Sequence, residues 1–351
     1  MATIREISEK ANVSTATVSK VLNGKGRVNA KTRQMILDIA QELNYRPNLN
    51  ARFLKSGQTK TIGIITEDLT VFNAPEIVDG IAEACDDAGY NYILGNLRFN
   101  KRYGRNPLDR EESAALIQKM VDDMLSKQVD GIIYVGCHCH VMVPFSKNLD
   151  TKFVFAYCIS SNPEIPYVIY DDEKASLEAT ELIISKGHTK IGMITGPVHS
   201  IHANKRTRGY QAALFSHGIP YDPRLTLTGD WTRDCGYRLC QELIAQGVTA
   251  IVAQNDLMAM GVIDYCNQNG IEVGTELALI GFDDREVASV TRPSLSTVAL
   301  PLFDIGCRAT HIMLDMLAGE EIQENRKDMM ECSIIERESS GRQRSCKPQS
   351  N

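Results

Sequence analysis

Val13-Ser14-Thr15-Ala16-Thr17-Val18-Ser19-Lys20-Val21-Leu22-Asn23 is the stretch on which the reading of this chain turns. Ser14 is a residue type whose hydroxyl accepts a backbone N–H in the first turn of a helix. Val18, Val21 and Leu22 follow at the i, i+3, i+4 spacing of one apolar stripe. Thr15, Ala16, Thr17, Ser19 and Lys20 are left on the outer face. Upstream, Thr3-Ile4-Arg5-Glu6 has the form of a capping box, and a first helix runs to about Lys10. Ala11-Asn12-Val13 is a short turn. Downstream, Asn23-Gly24-Lys25-Gly26 ends the second helix. Asn29 opens a third, with Ile36, Ile39, Ala40 and Leu43 inward, and Tyr45-Arg46-Pro47 stops it. Two short helices and a third that closes their core make a helix-turn-helix unit. The small, polar and basic outer face of the second helix suits a major groove about 12 Å wide. The pattern alone also fits a generic three-helix bundle.

Charge favours the first of these. Of 38 Lys/Arg and 44 Asp/Glu in 351 residues, positions 1–59 hold ten and four, leaving 28 and 40 for the remainder. A head of net charge +6 on a body of −12 directs the head alone to a polyanion.

The head residues Ala2-Thr3-Ile4-Arg5-Glu6-Ile7, Val13 to Asn23 and Leu43-Asn44-Tyr45-Arg46-Pro47-Asn48 closely resemble the DNA-reading end of the lactose-repressor (LacI/GalR) family. The resemblance continues through the body. It implies a sequence-specific DNA-binding transcriptional regulator with Thr3, Ser14, Thr15, Ala16, Thr17, Ser19, Lys20, Asn23 and Arg27 as candidate DNA contacts. The pair matching Thr15 and Ala16 discriminates bases in that family. The position of Lys20 is more often Arg there, and Lys lacks the two-pronged fork that reads guanine.

Residues 48–59 follow as a hinge and linker. Asn48 to Gly57 can make about two helical turns, too short for an isolated helix in water. The resemblance implies a hinge helix that orders only on operator DNA. Leu54 matches the leucine that wedges into the minor groove, with Asn48, Ala51 and Lys55 beside it. Read without the head, Leu54 is an ordinary linker leucine.

From residue 60 to 338, apolar strands alternate with amphipathic helices. Strands are expected at 61–65, 91–94, 131–135, 153–156, 190–195, 225–228, 249–253, 277–281, 295–299 and 330–336. Helices are expected at 74–89, 108–127, 172–186, 203–217, 233–246, 256–269 and 301–318. Such alternation implies an α/β body of parallel sheets flanked by helices. Two series suggest two lobes with a ligand cleft beyond the strand ends. The resemblance implies the periplasmic-binding-protein type I architecture, with an N-lobe of about 60–159 and 290–322 and a C-lobe of about 160–289 and 323–338.

By the same resemblance, Arg206 in Arg206-Thr207-Arg208-Gly209-Tyr210, Asn255 in Asn255-Asp256 and Asp283 in Gly281-Phe282-Asp283-Asp284 face the effector. Trp231, the single tryptophan, stands where sugar-binding members place a stacking aromatic. Phe72, Asn73 and Tyr157 complete the candidate set. Asp, Asn and Arg match vicinal hydroxyls, and an indole face covers the apolar side of a pyranose. Each also has a plainer reading: Asp283 a loop cap, Arg206 a surface ion-pair partner, Asn255 a helix cap and Trp231 a core residue. Tyr157 replaces a carboxamide or carboxylate common in the family. The connection 97–107 is longer and more basic than usual there.

The expected function is a repressor of carbohydrate-utilisation genes released by a small sugar. The alternatives are a co-repressor ligand such as a purine, or a solute-binding protein. No catalytic motif is present, so no enzyme activity and no cofactor are expected. Cys137-His138-Cys139-His140 lacks the usual zinc spacing and a second cluster, and no metal is expected. The ten scattered cysteines read as reduced thiols of a cytoplasmic protein. No stretch reaches the roughly 18 apolar residues of a membrane helix, and residues 1–10 do not read as a signal peptide. Residues 339–351 are polar and expected to be disordered. They lack leucine heptads, so a homodimer on a pseudo-palindromic operator is expected.

Overall fold

The computed structural model describes residues 2–22, 24, 26–45, 58–104, 111–142, 151–321, 323 and 326–341. Two compact units emerge, Met1–Thr59 and Lys60–Asn351. In the first, α1 (Ile4–Ala11), α2 (Thr15–Leu22) and α3 (Ala30–Glu42) enclose Ile7, Ala11, Val18, Val21, Ile36 and Ala40. The caps are the ones the residue types dictate. Thr3 Oγ1 accepts from Glu6 N at 3.3 Å while Thr3 N donates to Glu6 Oε2 at 2.7 Å. Ser14 Oγ accepts from Thr17 N at 3.1 Å, and Asn29 Oδ1 from Thr32 N at 3.1 Å.

The second unit holds two six-stranded sheets and a two-stranded ribbon. Its elements begin β1 (Thr61–Thr66), α4 (Asn73–Asp87), β2 (Asn91–Asn96), α5 (Phe99–Tyr103), α6 (Glu111–Ser126) and β3 (Gly131–Val135). Then come β4 (Val141–Met142), β5 (Lys152–Ala156), β6 (Ile159–Ser160), β7 (Tyr167–Tyr170), α7 (Asp172–Ser185), β8 (Ile191–Thr195) and α8 (Ile201–Ser216). Next are β9 (Thr226–Thr228), α9 (Arg233–Ala245), β10 (Ala250–Ala253), α10 (Asp256–Gln268), β11 (Ala278–Asp283) and α11 (Glu286–Val290). The last are β12 (Ser296–Ala299), α12 (Leu302–Ala318), β13 (Lys327–Met330) and β14 (Ser333–Ile335).

The first sheet runs β13-β7-β5-β3-β1-β2, all parallel; the second runs β14-β12-β11-β10-β8-β9, with only β14 antiparallel. Strand period explains the unbroken apolar runs. Ile62, Ile64, Ile133 and Val135 face Ile77 and Ile81 of α4 and Ile305 and Ile312 of α12. Ile65, Ile132 and Tyr134 face the other way, toward Ile117, Val121 and Met124 of α6.

Three expectations are corrected, and the 97–107 connection gains a structure. The first sheet gains Tyr167–Tyr170 and Lys327–Met330, and Ser296–Ala299 belongs to the second. The chain therefore passes between lobes near residues 171, 300 and 331, not at 159/160, 289/290 and 322/323. The expected strand 330–336 is two short strands in different sheets, because extended apolar residues continue across a change of sheet with nothing local to mark it. Part of the basic 97–107 connection is the helix α5, anchored by buried Phe99 and by Asn100 N donating to Asp68 Oδ2 at 2.9 Å. Ser339 and Ser340 are buried rather than disordered, with Ser339 Oγ donating to Leu279 O at 2.7 Å. Residues 342–351 lie outside the described residues.

α4 and α12 touch backbone to backbone. A Cβ at Gly80 would stand 2.1 Å from Phe303 O, and one at Gly306 2.1 Å from Ile77 O. Gly80→Ala should therefore lower unfolding stability by about 1–3 kcal/mol, despite alanine's better helix propensity. A urea-unfolding midpoint equal to wild type would refute that contact.

Candidate functional site

In the head, Thr15, Ala16, Lys20 and Arg27 are exposed, and Thr17 and Ser19 are half-buried. The hydroxyls of Thr3 and Ser14 are taken by helix caps. Asn23, Asn48, Ala51, Leu54 and Lys55 lie outside the described residues. The outer face of α2 thus carries short side chains and one lysine beside an exposed arginine, a surface that can approach a base-pair edge.

In the body, the crossing from β7 to α7 places Tyr170 and Asp172 at the strand ends. Asp172 is the centre of a buried network. Its Oδ1 accepts from Arg206 Nε at 2.8 Å, and its Oδ2 lies 2.8 Å from His202 Nδ1. Arg206 Nη2 donates to Tyr170 OH at 2.7 Å, Nη1 donates to Gln254 O, and the guanidinium covers the Phe282 ring at 3.6 Å. His202 Nε2 accepts from Cys139 N at 3.1 Å, so the ring proton sits on Nδ1. Cys139 follows β3 of the first sheet and His202 lies on α8 beside the second, so this bond joins the two lobes. Burial would push the Asp172 carboxyl up, but His202 and Arg206 hold it below the ordinary carboxylate value.

Arg206 is fully buried, not a surface ion-pair partner. Asp283 is buried too, with Oδ1 3.8 Å from Arg206 Nη1, too long for a hydrogen bond. Burial drives its carboxyl well above the ordinary value, with Arg206 opposing. Its backbone φ is 115°, outside the usual range for a side-chain-bearing residue. Trp231 has φ 69°, and its indole lies so close to Gly196 that a Cβ there would stand 2.0 Å from Cζ2. Tyr157 OH is 3.4 Å from Tyr170 OH, which brings Tyr157 into the same cluster.

Asn255 is a helix cap: its Oδ1 accepts from Met258 N at 2.8 Å, and Nδ2 donates to Trp231 O at 3.1 Å. Phe72, on the first lobe, lies 4.9 Å under the guanidinium of Arg285 from the second. Asn73 is engaged elsewhere: Nδ2 donates to Gly136 O at 3.0 Å, while its buried Oδ1 has no partner among the described residues. The arrangement thus gathers Arg206, Asp283, Trp231, Tyr157 and Asn255. Sequence reasoning missed Asp172, Tyr170, His202 and Gln254. Only the His and Asp types could have hinted at two of them, since their meeting depends on the crossing point that was misplaced. Among the described residues, no three His, Cys, Asp or Glu side chains are placed to hold a metal ion. No helix among them is long and apolar enough to cross a membrane.

Residues 3–48 match the model for bacterial regulatory proteins, lacI family, and residues 180–340 that for a periplasmic binding protein-like domain. Catabolite control protein A of Priestia megaterium is 34% identical over 91% of this chain and 94% of its own. The HTH-type transcriptional repressor CytR of Escherichia coli K12 is 29% identical over 95% of each. Among solved structures, the lac repressor dimer bound to operator and the anti-inducer ONPF superposes with TM-score 0.78 at 24% identity, covering 97% of this chain and 99% of that one. The CelR–cellobiose complex gives 0.66 at 24% identity, over 97% and 100%.

Removing the Asp172 charge leaves buried Arg206 without its carboxylate partner. Asp172→Asn should cost about 3–5 kcal/mol at pH 7, as breaking a buried pair does. The depressed acid confers stability above the ordinary carboxyl value of about 4, lost as pH falls through the lower folded value. The variant's unfolding free energy should then fall less steeply on acidification. Urea unfolding at pH 7 and pH 3 checks both; parallel pH profiles would contradict the network.

Proposed function

Because the chain belongs to the lacI family of bacterial regulatory proteins and is a DNA-binding transcriptional regulator, we propose that it is a repressor released by a small sugar. The observation that carries the ligand reading is the 3.8 Å separation of Arg206 and Asp283. A sugar hydroxyl can accept from the guanidinium and hydrogen-bond the Asp283 carboxyl across that gap. Trp231 offers an indole face beside them and Tyr157 a further hydroxyl, while Asn255, whose carboxamide caps α10 and holds Trp231 O, fixes the indole. A hydroxyl-rich, uncharged ligand fits donors and acceptors that already neutralise one another. The CelR–cellobiose complex, a structural neighbour, is in keeping with this class.

The head would read one half-site through Thr15, Ala16 and Lys20, with Thr3, Ser14, Thr17, Ser19, Asn23 and Arg27 fixing its register. Two copies would match a pseudo-palindromic operator. Asn48, Ala51, Leu54 and Lys55 would order on the duplex, with Leu54 prised between base pairs. A ligand that binds more tightly to one lobe arrangement shifts the population toward it, and DNA and ligand then alter each other's affinity equally.

Operator selection from random duplexes, followed by fluorescence anisotropy with mono- and disaccharides, tests the reading. Affinity should fall steeply with salt, and Lys20→Ala should cost about 1–3 kcal/mol on the selected site. Leu54→Ala should weaken the operator complex while leaving the body's thermal midpoint unchanged. Arg206→Lys should abolish the sugar response while operator binding is retained. A ligand that tightens DNA binding would mark a co-repressor instead. A protein whose midpoint no sugar raises would overturn the ligand class.

A further inference from the structure

Tyr157 directly follows β5, at the carboxyl end of a central strand of the first sheet. Its backbone φ is 64°, in the left-handed region that glycine, asparagine and aspartate enter most readily. A bulky aromatic residue stays there only where its surroundings over-determine it. Tyr157 N donates to Val168 O at 2.8 Å, which ties the backbone to β7. The side chain is 4% exposed, with its ring centroid 5.6 Å from that of Tyr170 and 5.3 Å from that of His202. Tyr170 and His202 are themselves stacked, 5.3 Å apart and 9° from parallel. His202 lies on α8, beside the second sheet, so the Tyr157 ring is clamped across the cleft rather than merely pointed into it.

Its hydroxyl has a direction. Tyr170 OH accepts from Arg206 Nη2 at 2.7 Å and lies 3.0 Å from His202 Nδ1, which carries a proton. Both lone pairs of Tyr170 are then taken, and its own proton is left for Tyr157 OH at 3.4 Å. Tyr157 OH has no other hydrogen-bond partner among the described residues, so its proton is free to donate into the cleft. The Arg206–Asp283 pair lies within electrostatic reach. Burial and then the Asp283 charge hold the phenol above its ordinary value, with Tyr170 and Arg206 opposing.

We propose, resting on the sugar reading above, that Tyr157 sets the length of the ligand: its ring closes the first-lobe side of the Arg206–Asp283 gap, which therefore receives one sugar ring and excludes a disaccharide. A phenol ring is close in size to a pyranose, so it fills the room a second ring would need. It cannot swing aside cheaply, because the left-handed backbone, the bond to Val168 and the His202 face all hold it. Its hydroxyl donates to an oxygen of the ring that does enter. Asparagine or aspartate at this position would leave that room open and present an acceptor instead. Discrimination by a built obstruction is as effective as discrimination by an added contact.

The test is calorimetric titration of the full-length protein with D-glucose, D-galactose and D-fructose, and with maltose, cellobiose, lactose and sucrose. The wild type should bind at least one monosaccharide at least about tenfold more tightly than any disaccharide that contains it. Tyr157→Asn, suited to the same φ, should cut that preference at least about tenfold. Tyr157→Gly should do the same, and a circular dichroism spectrum like the wild type's qualifies each variant as folded. Tyr157→Phe keeps the ring and loses the donor; it should retain the preference while binding the monosaccharide more weakly. The size limit would be overturned, and the sugar reading left standing, by a wild type that favours a disaccharide, by a folded Tyr157→Asn or Tyr157→Gly protein with the wild-type ratio, or by a Tyr157→Phe protein that loses it. A wild type that binds none of these sugars would overturn both.

Discussion

One carboxylate organises the body. Asp172 is the first residue of α7, where the chain leaves the first sheet for the second, and it accepts from Arg206 and meets His202. A guanidinium taken out of water is tolerable only when paired and hydrogen-bonded on most of its donors. Asp172, Tyr170 and Gln254 supply those partners, and the Phe282 face covers the plane. With Arg206 so fixed, its remaining edge is presented to Asp283 at a distance no direct bond spans. The same carboxylate holds His202 in the tautomer that can accept from Cys139. The Arg206 cluster and the lobe contact therefore share one anion.

That sharing gives a physical route for coupling. A ligand placed between Arg206 and Asp283, as proposed, would compete for a guanidinium that already balances Asp172. Any displacement of Asp172 changes what holds His202, and hence the bond to Cys139. Cores that pack this closely do not deform continuously, so under that proposal small shifts would resolve into alternative lobe arrangements. The contact of Arg285 with Phe72 adds a second tie across the same cleft, from the residue two beyond Asp283.

Much of the fold was legible because it rests on local rules. The capping residues Thr3, Ser14 and Asn29 do what their side chains dictate, and Val18 and Val21 fall inside because the helical period puts them there. Parallel strands such as Ile62–Ile65 are apolar on both faces, so they stand out without alternation. What failed was long-range. Nothing in residues 327–335 says that the first four belong to one sheet and the last three to another; that is set by which edge each strand meets. Arg206 and Asp283 were nominated through resemblance to known motifs, whereas Asp172 and His202 had no motif. Asn255 shows the converse: a residue nominated for the cleft spends its oxygen on a helix cap, leaving its amide on Trp231 O.

The misplaced crossing and the missed residues have one cause. Tyr170 and Asp172 matter because the chain changes lobes between them. An assignment that ends the first lobe at 159 makes them ordinary members of the second, remote from the cleft floor. Once β7 is counted in the first sheet, its carboxyl end becomes a cleft position by the rule that ligands gather beyond strand ends. The residues around that end then need no separate explanation. A hydroxyl, a carboxylate and, one helix away, an imidazole and a guanidinium meet there because each must satisfy the others on leaving water. Charge balance at a topological switch, rather than any single motif, brings these residues together, and the proposed ligand site rests on it.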